Sequence, residues 1–262
     1  MDYRKIGFWQ LVILALLLNF VVQTIHEAGH WAVLEISGRR PVWGFNQLIQ
    51  IWDGKPVHPE EWTETTAPDG EKGWLRMSSA SGKTEFNIML VAGPLASLFG
   101  VVLALSLSRW NRNRAIRQMA LMMALLSSLI MSVYYLRGFN RLGGDEYFLA
   151  ANMGIPKYII DIPFGLAFII AFITGVWTLG DWRTRLKWFG AIVLGSIPSA
   201  LFIVKANTIV QNQVDLDNPF FISLLGWSLP VLVVNVIACL ALWLWWRRTN
   251  KIYNNPVSDS GN

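Results

Sequence analysis

Six apolar runs, each long enough to cross a bilayer, dictate what this chain can fold into. They fall at about Gly7 to Leu34, Ile88 to Leu107, Gln118 to Leu136, Pro163 to Leu179, Trp188 to Ile209 and Phe221 to Trp246. About 20 predominantly apolar residues in a helix suffice to span roughly 30 Å of hydrocarbon. Hydrophobic residues make up 53% of the 262 and charged residues only 15%, which leaves too little polar surface for a soluble domain of this length. The lipid interior offers the backbone no hydrogen-bond partners, so runs of this length satisfy their own N–H and C=O groups as helices. The expected fold is an all-α polytopic membrane protein of about six transmembrane helices, with a small β-hairpin-like or loop segment between the first two.

The charges set the expected orientation. A net charge of +5 would point to nucleic acid in a soluble protein, but here the basic residues group between spans and no nucleic-acid partner is expected. Arg4 and Lys5, then Arg109, Arg112, Arg114 and Arg117, then Arg183, Arg185 and Lys187, then Arg247, Arg248 and Lys251 all fall on one side if six spans alternate. Short loops rich in Lys and Arg stay cytoplasmic, so both termini are expected there. The first run has the basic flank of a signal sequence, but its apolar part is too long and no small-x-small cleavage site follows, so it reads as a retained helix. Trp110, Trp177, Trp182, Trp188, Trp245 and Trp246 fall at span ends, where amphipathic rings favour the interface. The lone Cys239 lies inside the last span and leaves no partner for an intramolecular disulfide.

Three regions are expected: a three-span core over 1–155, a further three-span region over 156–252 and a disordered polar tail over 253–262. No internal repeat or pair of broken helices of the transporter kind is present. Ser37 to Glu85 is the only sizeable aqueous segment of the core. Within it Gln47 to Trp52 and Trp74 to Ser79 have strand character between Gly and Pro, giving a hairpin or strand pair whose edge could take an extended substrate by β-addition; an irregular loop fits as well. The second span carries Ala92, Ala96 and Gly100, with Gly93 and Ser97, a small-residue surface that lets helices approach closely. Ala28, Gly29 and Ala32 offer a matching surface on the first.

The chemistry-bearing pattern is His26-Glu27-Ala28-Gly29-His30, at the far end of the first run. Residues four apart share a helix face, so both imidazoles can reach one metal while Glu27 faces a water beside it. Ionisable groups at the end of a membrane span are costly unless they meet protein, water or metal, which favours a functional site over a chance match. A catalytic zinc usually takes a third protein ligand. Asp145, in Gly143-Gly144-Asp145-Glu146 after the third span, lies on the same side as the end of the first helix and is the leading candidate. Glu146 is the runner-up, and His58 reads as a surface residue. Asp145 could instead cap a short helix ending near Met153-Gly154, with Pro156 as its stop.

On His26 to His30, on Ala92-Gly93-Pro94-Leu95-Ala96-Ser97 and on Gly144-Asp145, the chain resembles the site-2 protease family of intramembrane metalloproteases, the M50 class, over roughly residues 10 to 155. The resemblance implies Zn2+ held by His26, His30 and Asp145, Glu27 as general base, and cleavage of a peptide bond in or near a transmembrane segment of a membrane protein substrate within the lipid bilayer. Ser97 stands where the family often has Asn, and the approach to Asp145 is shortened to Asn140-Arg141-Leu142-Gly143-Gly144. Many members of that family place the metal nearer the cytoplasmic face, whereas the charge pattern here puts it toward the outer one. The contrasting expectation is a proteolytically silent protein of the same fold that binds or retains membrane clients. The extended metzincin pattern is missing after His30, Glu146 lacks the acid or amide four residues on of the prenyl-protein and heat-shock type membrane proteases, and three His are too few for a di-iron hydroxylase.

Overall fold

The computed structural model describes residues 3, 6–38, 41, 43–45, 50–51, 54–66, 72–76, 82–137, 144–216, 218–221 and 228–254. Seven α-helices are found among them: α1 Phe8–Ile36, α2 Lys83–Trp110, α3 Arg114–Arg137, α4 Asp145–Met153, α5 Tyr158–Trp177, α6 Trp182–Asp215 and α7 Leu229–Asn254. All but α4 are long and apolar enough to cross a membrane, so the protein is an all-α, multi-pass membrane protein. Arg4 and Lys5, Gly143 and the tail beyond Asn254 lie outside the described residues. The last helix starts later than its apolar run suggests, at Leu229, with Phe221 in a turn before it.

Local chemistry sets the helix ends. Asp181 caps α6, accepting from Thr184 N at 3.1 Å and from Thr184 Oγ1 at 2.8 Å. Asn113 does the same for α3, accepting from Ala115 N at 3.0 Å. Helix α4 stops at Gly154, in the left-handed conformation at φ 67° that suits glycine, and Pro156 prevents its continuation.

Helix α1 is the axis of the bundle, packed against α2, α3, α6 and α7. Leu11, Leu14, Ala15, Leu18 and Val22 of α1 share a core with Leu121, Met122, Leu125 and Leu126 of α3 and with Trp188 and Ile192 of α6. Trp188 is therefore no interfacial anchor. It is fully buried, edge-on to Tyr3 at 5.5 Å, because Gly195 and Ala191 draw α6 close to α1 and enclose the ring. Trp110, Trp177 and Trp182 behave as expected and are largely exposed.

Helix α6, at 34 residues, is about 51 Å long, well beyond a roughly 30 Å hydrocarbon layer. Its final turns carry the aqueous segment. Phe45 and Trp62 pack with Ile203, Val210 and Val214, Phe45 N donates to Asn207 Oδ1 at 2.9 Å, and Val57 N to Asp215 Oδ1 at 3.2 Å.

Among the described residues that segment carries a hairpin-like pair, β2 Trp62–Thr66 with β3 Lys72–Arg76, and a further strand, β1 Gln50–Ile51, on the other side of β3, giving a three-stranded antiparallel sheet in the order β1-β3-β2. Strand β2 pairs with β3 from Trp62 opposite Arg76 to Thr66 opposite Lys72. It comes from a stretch whose Gly, Pro and charge suggest a loop, but Trp62-Thr63-Glu64-Thr65-Thr66 is rich in residues that favour a half-buried pleat. The remainder of the two anticipated strands, 47–49, 52 and 77–79, lies outside the described residues.

Gly195 and Gly190 make the packing testable. A Cβ on Gly195 would lie 2.6 Å from Val12 O and 2.8 Å from Ala15 Cβ, whereas one on Gly190 would meet nothing nearer than Phe8 at 3.6 Å. Gly195→Val should lower the unfolding temperature in detergent, overpacking typically costing about 1–3 kcal/mol. Gly190→Ala should leave it unchanged or raise it.

Candidate metal centre

The two histidines come together because α1 is straight through the motif and α2 crosses it at almost backbone contact. A Cβ on Gly29 would collide with the carbonyl of Ala92, and one on Gly93 with the imidazole of His30. Only a side-chain-free pair lets α2 pass while both rings occupy the seam. Pro94 is buried in the same turn.

The rings are fixed through their far nitrogens. His30 Nδ1–H donates to the Met89 carbonyl at 2.7 Å, and because a carbonyl can only accept, the Nε2 of the neutral ring carries the lone pair. His26 Nδ1 is 3.0 Å from Ser97 Oγ; the hydroxyl can accept as well as donate, and when it accepts from Nδ1–H the Nε2 is left as the free base. The two planes meet at 80°.

The third group is Asp145, the first residue of α4. Gly144 is the residue before the helix, at φ 95°, a conformation that favours glycine. No side chain caps α4, so the carboxylate is not spent on a cap. Asp145 Oδ2 lies 3.3 Å from His26 Nε2 and 3.1 Å from His30 Nε2, and the two Nε2 atoms are 3.3 Å apart. Burial pushes the Asp145 carboxyl up, but in the metal-free site the charge of a protonated His30 and the hydrogen bonds to His26 and His30 outweigh it and hold it well below the usual carboxylate range; a bound cation would take the place of that proton and leave both rings neutral.

This near-equilateral triangle fits a metal ion. With bonds of ~2.0–2.1 Å, two corners of a tetrahedron are about 3.3 Å apart. With both rings neutral, two imidazole lone pairs and a carboxylate point at one another with no proton among them, and a cation satisfies all three. Among the described residues these three form the one group of His, Cys, Asp and Glu close enough to hold an ion. The centre is reached past Asp145, 26% exposed, and His26, 16%, with His30 at 5% closing the inner side.

Glu27 is buried at 3% exposure, next in the chain to His26. The other candidates are elsewhere. His58 is half exposed and pairs with Glu60 at 3.2 Å. Glu146 turns away from the histidines to Lys157, 3.1 Å from its Nζ; burial pushes its carboxyl up while Lys157 draws it down. The sequence marks Ser97 as part of the small-residue surface of the second span and as a departure from a family pattern, but not as a partner of His26, whose ring its hydroxyl orients. The signal was its spacing, four residues and thus one turn after Gly93 on the same face.

No family model, no curated protein and no solved structure matches this chain.

Metal content is the first expected outcome. Purified wild-type protein should carry close to one divalent ion per chain by elemental analysis, and Asp145→Ala should lose it while helix content by circular dichroism is kept. Ser97→Ala, removing only the partner of His26, should weaken affinity by about 10- to 100-fold.

Proposed function

We propose that the protein is an intramembrane zinc metalloprotease of the site-2 protease type, cutting a peptide bond in or beside a transmembrane segment of another membrane protein. The observation that carries this reading is the His26–His30–Asp145 triangle at the end of a membrane-spanning helix, with a buried glutamate next to its first ligand. Two imidazoles and one carboxylate are the borderline-soft donor set that suits zinc, leaving the fourth position open. Zinc bound there supplies a Lewis acid for the scissile carbonyl and lowers the pKa of water toward ~7.

The chain's own residues do the rest. Glu27 takes the proton of the attacking water and passes it to the leaving amine, a transfer that its burial beside His26 favours by excluding bulk water. The Met89 carbonyl holds His30 in the tautomer the chemistry needs, and the Ser97 hydroxyl orients the His26 ring. A substrate helix hides its carbonyls in its own hydrogen bonds and must unwind to be cut. Strand β2, at an edge of the sheet among the described residues, offers the backbone groups against which an unwound segment can pair.

The basic segments at Arg109 to Arg117, Arg183 to Lys187 and Arg247 to Lys251 lie at the opposite ends of the helices from the sheet and α4. By the charge rule this supports a topology with both termini in the cytoplasm and the metal centre toward the outer face.

Two outcomes test the proposal. Glu27→Gln should retain zinc, keep its fold and lose about 10²- to 10⁴-fold in cleavage of membrane substrates found by comparing membrane proteomes with and without the active protein; cleavage at the wild-type rate would remove Glu27 from the base role. Reporter fusions at residues 60 and 113 and at the C-terminus should read outside, inside and inside. The inverse pattern would turn the site to the cytoplasm and leave its chemistry unchanged.

A further inference from the structure

Two of the three ligands sit on α1, whose 29 residues are locked by packing along its length. Asp145 does not have that support. It opens α4, a helix of nine residues, and helices that short do not hold themselves in water or place a side chain without outside contacts. The far end of α4 is tied to α2 by Asn152 Nδ2 donating to Asn87 Oδ1 at 3.1 Å. The near end, which carries the ligand, is held otherwise. Lys157, the residue before α5, extends its ammonium to within 3.1 Å of Glu146 Oε1 and 2.8 Å of Asp161 Oδ2. The Glu146 and Asp161 side chains are 1% and 0% exposed and that of Lys157 is 11%. Glu146 is the neighbour of Asp145, and Asp161 is one turn into α5, so the ammonium bridges the ligand-bearing turn to the start of a membrane span.

Buried charges of this kind hold their partners tightly, because separation leaves an uncompensated ion out of water. Two carboxylates converge on one ammonium, which fixes α4 against α5 in rotation as well as distance. We propose that Lys157 is a positioning residue of the metal centre: by bridging Glu146 and Asp161 it sets the first turn of α4 so that the Asp145 carboxylate is aimed at His26 and His30. This rests on the metal-centre reading and extends it to a residue outside the resembled segment. The precision needed is high, since displacing one ligand by about 1 Å spoils the ~2 Å bond on which zinc affinity depends.

The experiment uses the full chain in detergent, with zinc affinity measured by chelator competition and unfolding of the metal-free protein followed in parallel. Lys157→Met combined with Glu146→Gln and Asp161→Asn removes the cation and both anions together, so no buried carboxylate is left unpaired. The expected result is zinc binding weaker by about 10- to 100-fold, as for loss of an outer partner of a ligand, with helix content and metal-free unfolding close to wild type. Cobalt in place of zinc should show an altered visible spectrum in the same variant. Lys157→Arg alone, which keeps a charged donor within reach of both carboxylates, should keep affinity and spectrum close to wild type. If the triple variant fails to fold, Lys157→Gln, which keeps a neutral donor between the two carboxylates, provides the comparison. Wild-type affinity in the folded triple or glutamine variant overturns the proposal, as does a loss of affinity that only tracks a loss of metal-free stability, or an arginine variant as weak as the triple one. Wild-type protein that takes up no zinc fails differently: it removes the metal centre itself.

Discussion

The contact on which the rest of the structure depends is the passage of α2 over α1 where Gly29 faces the backbone of Ala92 and Gly93. Two helices in lipid gain little from hydrophobic burial, since the tails around them are as apolar as their own side chains; they associate by fitting closely. Here the fit is backbone on backbone, and it brings the Met89 carbonyl and the Ser97 hydroxyl to the far sides of two imidazoles that would otherwise turn freely. The small residues thus serve packing and chemistry at once. A larger residue at Gly93 would not merely loosen the bundle; it would occupy the space of the His30 ring.

Away from that seam the bundle is assembled around α1. Helices α3 and α6 enclose its first half with large side chains, whereas the second half carries the ionisable groups and meets α2, α4 and Trp43. The apolar and polar halves of one helix therefore belong to different environments. The length of α6 joins them, since its first turns bury Trp188 against Tyr3 and its last turns seat Phe45 and Trp62.

Much of this was legible in the sequence, for physical reasons. The six spans were readable because lipid leaves a hydrophobic stretch few alternatives to a helix, and His26 with His30 because a four-residue spacing fixes a shared face. Asp145 was reachable by elimination among few donors and by its place after the third span. What escaped were features decided by long-range contact. Strand β2 has the composition of a loop in its neighbourhood and becomes a strand by pairing with β3. Trp188 reads like an interfacial anchor until Tyr3 closes over it. Glu146 and Asp145 are adjacent carboxyls that the chain order alone does not tell apart; in the fold Asp145 meets the histidines and Glu146 meets Lys157.

The division of the ligands between a first helix and a short fourth one has a consequence in time. A membrane protein is threaded into the bilayer from its N-terminus, so His26 and His30 are in place long before Asp145 is synthesised, and two imidazoles alone make a weak and open site. The triangle closes only after three spans have been inserted and, with Lys157 in the positioning role proposed for it, only after the start of α5 has emerged to hold α4. A metal centre built in this order stays incomplete throughout its own insertion.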